Sequence, residues 1–139
     1  MGLLMNTASE IADKVKETFN DDKNYLFAMK RNDVKRGLAK LFLSKLYYIM
    51  DGARSFVLYF SEKGIYEKEI SNTVKGNFVL MPWEEIDEFT LDYKSNKANL
   101  TLVHLGTKLL YELPFNGPMA KGNKERLEEL AKMNYNRLT

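Results

Sequence analysis

The sequence predicts a mainly β domain of the α+β class, in which about seven short strands form a bent antiparallel sheet and a C-terminal helix covers one open end. Three observations lead to this prediction. Over residues 55–115, short runs alternate apolar and polar side chains, the period of a half-buried strand. Tight polar turns separate the runs, as at residues 62–64, where the sequence EKG is typical of a hairpin. A helical apolar pattern then starts at Asn123.

Length, composition and charge limit the functional classes. A chain of 139 residues is expected to form one domain over residues 1–139, which buries roughly 68% of the surface that its unfolded form exposes. The chain has no cysteine, which excludes disulfides, thiolate zinc sites and cysteine nucleophiles. The net charge of +2 is too small to indicate a nucleic-acid or membrane partner by itself. The first ten residues, MGLLMNTASE, lack the pattern of a signal peptide, so we expect a cytoplasmic protein.

The strands are predicted over residues 25–30 and within 55–115. The runs inside the second range cover residues 55–60, 65–70, 78–81, 86–93, 100–104 and 108–113. Pro82 must end the run at residues 78–81 or bulge it, because proline cannot donate to a ladder. Alternation places Glu67 and Glu69 on the solvent face of their strand.

Helices are predicted at both ends of the chain. The first covers residues 8–19, where apolar residues recur at helical spacing after a capping-box pattern. The last covers residues 123–135, with Asn123 as the N-cap and Leu127 and Leu130 facing the core.

An additional helix is predicted over residues 33–50, starting at Asp33. Its second half is apolar on nearly all sides, which requires burial on two sides. One interpretation places this helix between the sheet and the N-terminal helix. The other makes it a self-association surface that includes Leu43 and Tyr47. A strand over this segment is the remaining alternative.

One basic cluster could bind an anion. It consists of Lys30, Arg31, Lys35, Arg36 and Lys40. Such a cluster could be a solvated face, contact an anionic lipid surface, or bind nucleic-acid phosphates. A nucleic-acid partner is the least expected of these, because the charges near the aromatic residues are mixed in sign.

Catalysis, metal binding and cofactor binding are not expected. His104 is the only histidine, and without cysteine it cannot build the usual zinc set. We expect it to be a strand-end residue with one satisfied hydrogen bond. The acidic run Glu84, Glu85, Asp87 and Glu88 could bind a hard cation, but charges at a strand entry more commonly protect a sheet edge.

Two motifs and the terminal helix resemble the bacterial pleckstrin-homology-like (PH-like) family. FVLYFSEKGIY looks like the second and third strands of that group, and MPWEEIDEFTL looks like the entry to a later strand. The resemblance covers about residues 54–135, so the helices at residues 8–19 and 33–50 are additions to the minimal barrel. It implies a seven-stranded bent barrel with a capping helix, and binding rather than catalysis.

The expected function is therefore a small non-enzymatic interaction module that binds proteins and associates with itself. The alternative is a peripheral binder of anionic lipid or phosphate headgroups through residues 30–40. The lipid-binding signature of the family matches this chain poorly, because Gly52 stands where a basic residue should precede Arg54 by two positions.

Overall fold

The computed structural model describes residues 8–31, 53–70 and 77–137. The predicted helix over residues 33–50 lies outside them. The described elements, in chain order, are α1 (Ala8–Phe19), β1 (Tyr25–Arg31), β2 (Ala53–Phe60), β3 (Gly64–Glu69), β4 (Val79–Pro82), β5 (Ile86–Tyr93), β6 (Lys97–His104), β7 (Thr107–Pro114) and α2 (Asn123–Lys132). Single 3-10 turns follow β4 (Trp83–Glu85), precede α2 (Pro118–Ala120) and follow it (Asn134–Asn136).

The seven strands form one antiparallel sheet in the order β4-β3-β2-β1-β7-β6-β5. Strands β1 to β4 pair in sequence order, as do β5 to β7, and β1 pairs with β7 to join the two halves. Within the described residues no ladder joins β4 to β5, so both are edge strands and the sheet is open. The prediction of a mainly β, antiparallel, seven-stranded domain with a C-terminal helix is confirmed.

The sheet is strongly curved although it is open. The ring of Tyr135 lies 6.2 Å from the ring of Phe60 on β2 and 4.9 Å from that of Phe89 on β5. In a flat sheet, β2 and β5 would be about 19 Å apart, which is four strand spacings. One tyrosine ring reaches both strands, so the sheet must bend around the face that α2 covers.

The curvature creates two cores, one on each face of the sheet. The inner core takes buried residues from all seven strands and from α2, where Leu127 and Leu130 are almost fully buried. The outer core packs α1, through Ile11 and Val15, against β1 and β2. Both faces of β2 are therefore covered, which is why residues 56–60 form a continuous buried run.

The side chain of Asn123 bridges the point where β1 and β7 separate. The ladder between these strands covers Met29–Arg31 of β1 only. In the part of β1 that precedes this ladder, the Asn123 side-chain amide accepts a hydrogen bond from the Phe27 N–H (2.9 Å). The same amide donates to the Phe27 and Pro114 carbonyls (2.8 and 2.9 Å). Arg126 extends this pattern by donating to the Tyr25 carbonyl (2.8 Å). Side chains of α2 thus replace the missing strand contacts.

Two features predicted for α2 are wrong. Asn123 is not the N-cap; Gly122, in the left-handed region with φ of 82°, occupies that position. Asn123 is buried instead, because its amide satisfies the backbone of β1. The α-helix also ends at Lys132 rather than near 135, and residues 134–136 follow with positive φ angles.

Candidate functional site

Lys30, from the predicted basic cluster, lies in a half-buried network on the inner face of the sheet. Its ammonium group is 2.8 Å from Glu67 Oε2, and the side chains are only 16% and 19% exposed. The Tyr111 hydroxyl donates to the same carboxylate oxygen. The Lys30 ammonium also lies 4.5 Å from the center of the Phe56 ring. This arrangement compensates the charge of Lys30 within the protein.

The prediction that Glu67 faces solvent is wrong. Glu67 is the ladder partner of Leu58 and therefore shares its inner face. The carboxylate is tolerated there because Lys30 and Tyr111 satisfy it. Burial and the neighbouring Glu67 raise the pKa of Tyr111, so this phenol stays protonated and remains a donor.

Of the other members of the basic cluster, the structure describes only the backbone of Arg31. Arg31 ends β1, and its side chain falls outside the described part of the structure. Arg54, on β2, lies 3.5 Å from a carboxylate oxygen of Glu69, so a second cation at this end of the sheet has an acidic partner. Five further predicted site residues lie outside the described residues: Lys35, Arg36, Lys40, Leu43 and Tyr47.

His104 ends β6 and forms one side-chain hydrogen bond. Its Nε2 atom is 2.9 Å from Glu85 Oε1, in the 3-10 turn before β5. The expectation of a strand-end histidine with one satisfied hydrogen bond is confirmed. The acidic run therefore splits, since Glu85 pairs with His104 while Glu84, Asp87 and Glu88 are exposed. In the described residues, no three acidic or histidine side chains are grouped to hold a metal ion.

β5 presents an open edge eight residues long. Its ladder to β6 is interrupted by a bulge between Asp87 and Phe89, and Glu88 there has φ of 50°. After the bulge, Phe89–Tyr93 pairs regularly with β6 on one side only. Asp87, Glu88 and Asp92 are exposed along this strand, with Asp92 3.1 Å from the Lys94 ammonium group, and Tyr93 is 51% exposed. Among the described residues no strand pairs with this edge, and Asp87 and Glu88 give it negative charge.

An open cleft of 430 Å³ lies where the end of α1 meets the turn between β2 and β3 and the C-terminal 3-10 turn. Its lining includes the rings of Phe19, Tyr59 and Tyr66, the turn at residues 61–63, and Asn136. Phe19 stacks face to face on Tyr59, with ring centers 3.9 Å apart and planes 2° apart. The cleft thus combines an aromatic wall with charged and polar groups.

A hydrogen-bonded carboxylate supports the aromatic wall. Asp21 accepts bonds from the Tyr59 hydroxyl (2.7 Å), the Asn24 amide (2.6 Å) and the Lys23 backbone N–H (3.0 Å). Burial alone would raise the pKa of Asp21, but these hydrogen bonds outweigh it and the pKa is lowered. Burial and Asp21 together raise the pKa of Tyr59.

Asp21→Asn is expected to remove an acid-sensitive part of the stability. Because the folded pKa lies below the usual value, the Asp21 contribution is fully present above the unfolded pKa and is lost as pH falls through the folded one. At neutral pH we expect a loss of about 1 kcal/mol in the free energy of unfolding. Urea titrations from pH 7 downwards should show a smaller acid-induced drop for the variant. An equal drop in both proteins would contradict this assignment.

Comparison of the chain with protein-family models, curated proteins and solved structures found no match. Among the described helices, none has the length and apolar character needed to cross a membrane. The fold and the sites described above are therefore the basis for a functional proposal.

The sequence did not reveal the cleft. Its lining comes from α1, the β2–β3 hairpin and the C-terminal turn, and no local spacing connects Phe19, Tyr66 and Asn136. Tyr59 belongs to the outer core and is 8% exposed, so its burial alone does not indicate a site. The polar residues at positions 20–24 are the only local signal near the cleft, and such a run is typical of a turn.

Proposed function

We propose that this chain is a non-enzymatic protein-interaction module with a PH-like fold. The support for the fold is the antiparallel order of seven strands, their curvature, and the C-terminal helix on the inner face. The support for binding is the geometry of the surface rather than any reactive group. His104, the only histidine, already pairs with Glu85. We expect His104→Ala to leave binding unchanged.

The open edge of β5 is the observation that carries this proposal. An unpaired strand edge offers backbone donors and acceptors to an extended segment of another protein, which adds as a further strand. Asp87 and Glu88 are exposed and give this edge negative charge, while Asp92 is paired with Lys94 at 3.1 Å. A segment that alternates basic and apolar residues is therefore the partner that fits best.

Self-association is part of the same proposal, but β5 does not favour pairing with the β5 of a second copy. The two edges would place like charges opposite each other, which is destabilising. The opposite edge, β4, carries Val79 with 64% exposure and no charged residue, and it is the more suitable surface for a second copy. Leu43 and Tyr47 remain the candidate residues outside the described part.

A basic strand peptide tests the β5 edge directly. The probe is an eight-residue peptide of alternating Lys and Val, matched to the length of β5, and its Glu-Val counterpart is the negative control. In spectra of ¹⁵N-labelled protein we expect the basic peptide to shift amide signals of Phe89–Tyr93. The acidic peptide should leave them unchanged. Shifts located elsewhere, or none, would contradict the proposal.

Charge reversal at the edge provides the matched variant. Asp87→Lys with Glu88→Lys should weaken binding of the basic peptide about tenfold, from two exposed ion pairs. Glu125→Lys with Glu128→Lys makes the same change of charge on the exposed side of α2 and should have little effect. Equal weakening by both pairs would show that only net charge matters.

The alternative proposal, an anionic headgroup site over residues 30–40, rests on the five basic residues of that segment. It is less supported because Glu67 compensates Lys30. Sedimentation with phosphatidylserine vesicles across a salt series tests it, since binding by surface charge weakens steeply with salt. We expect Lys30→Met to leave vesicle binding unchanged. A salt-sensitive loss of binding in this variant, with its fold intact, would favour the lipid alternative.

A further inference from the structure

The cleft has the size and the aromatic wall of a small-ligand site. Its volume of 430 Å³ lies within the range of sites that take small molecules. Phe19 is half-buried, with one ring face on Tyr59 and with Tyr66 and Phe78 packed against it at 4.9 and 4.8 Å. A planar ring entering the cleft can therefore extend an existing stack.

Two opposite charges border this wall. Glu62 and Lys63 are adjacent in the turn between β2 and β3, and both are exposed and line the cleft. In the part of the chain that the structure describes, neither side chain has an ion-pair partner.

The backbone holds this turn in place. Ser61 and Gly64 exchange backbone hydrogen bonds of 2.9 and 3.2 Å. The Lys63 N–H donates to Ser61 Oγ at 3.0 Å. The two charges are therefore carried by an ordered turn beside the aromatic wall.

A third polar group completes the site. Asn136 uses its amide NH₂ to donate to the Phe60 carbonyl at 3.0 Å, which leaves the amide oxygen as an acceptor at the cleft. The residue adopts φ of 63°, in the left-handed region that asparagine enters more readily than most residues other than glycine. The backbone of the C-terminal turn thus positions an acceptor beside the aromatic wall.

We propose that this cleft binds a small zwitterionic aromatic molecule of the aromatic α-amino acid class. The ring stacks on Phe19, the carboxylate pairs with Lys63, and the ammonium group pairs with Glu62 and donates to the Asn136 amide oxygen. The same chemistry occurs at the ends of a peptide, where an aromatic terminal residue keeps only one of the two charges. The free amino acid uses both charged residues and is the ligand that fits completely.

Titration of ¹⁵N-labelled protein with L-phenylalanine tests this proposal. We expect saturable shifts of the amide signals of residues 61–64 and of the Asn136 side-chain amide. N-acetyl-L-phenylalanine lacks the ammonium group and represents a peptide C-terminus, while L-phenylalaninamide lacks the carboxylate and represents an N-terminus. Each should bind about fivefold more weakly than the free amino acid. L-leucine, which lacks the ring, should not produce saturable shifts of these signals.

Glu62→Trp should fill the cleft and abolish the L-phenylalanine shifts, whereas Glu128→Trp on the exposed side of α2 should not. Lys63→Met provides a second variant. It should weaken the binding of L-phenylalanine about fivefold but leave the binding of L-phenylalaninamide unchanged. Absence of saturable shifts in the wild type, or shifts that survive Glu62→Trp, would overturn the site. If N-acetyl-L-phenylalanine or L-phenylalaninamide binds as tightly as L-phenylalanine, the site does not require both charges. The ligand would then be the end of a peptide rather than a free amino acid.

Discussion

Gly64→Ala is expected to lower the free energy of unfolding by about 3 kcal/mol, from steric overlap together with backbone strain. Gly64 begins β3 and faces Pro82 of β4 in the ladder. A Cβ atom at this position would overlap the Met81 carbonyl oxygen and lie 2.7 Å from Pro82 Cα. These are backbone atoms that cannot rotate away, so the β3–β4 pairing must shift. Urea denaturation of the two proteins measures the difference.

Gly106→Ala is the matched control for this substitution. Gly106 also has a positive φ, of 86°, but a Cβ atom there would meet nothing within 4 Å. Gly106→Ala therefore introduces the backbone strain without the steric overlap. We expect it to lower the free energy of unfolding by about 1 kcal/mol. If both variants lose the same free energy of unfolding, the claim that the β4 backbone lies against Gly64 is wrong.

Asn123→Ala is expected to cost about 3 kcal/mol, because it leaves several buried backbone groups without partners. The Asn123 side chain is 1% exposed and makes three hydrogen bonds to the backbone of Phe27 and Pro114. Its loss leaves the Phe27 N–H and both carbonyls unsatisfied and loosens α2 from the sheet. The loss should also increase amide hydrogen exchange at Phe27.

Asn116→Ala provides the comparison for Asn123, since Asn116 is exposed in the connection before α2. A change within about 0.5 kcal/mol is expected there. A similarly small change at Asn123 would show that α2 does not supply the backbone partners of β1.

The fold could be predicted because its local signals agree with its architecture. The two-residue period and the polar turns marked most strands after residue 55, and the helical period marked α2. The role of Asn123 could not be predicted, because asparagine before an apolar helical pattern is typical of an N-cap. Only the separation of β1 from β7, a long-range feature, gives this residue its buried partners.

The inner-face network shows a second limit of sequence patterns. Glu67 shares a strand face with Glu69, which favours a solvent-facing position, and Lys30 belongs to a run of basic residues. The curvature of the sheet brings β1, β3 and β7 together, so that Lys30, Glu67 and Tyr111 satisfy one another. A predicted anion contact thus becomes an internal ion pair. The cleft was missed for the same reason, since its walls are distant in sequence.

Cross-strand nuclear Overhauser effects test the central claim, an open curved sheet whose halves are joined by β1 and β7. The account predicts contacts of Met29–Arg31 with Leu110–Glu112, and contacts of the Asn123 side-chain amide with Phe27. It also predicts no backbone contacts between β4 and β5. Backbone contacts that pair β4 with β5, or that place a strand other than β7 beside these residues of β1, would contradict the fold and the edge-strand function derived from it.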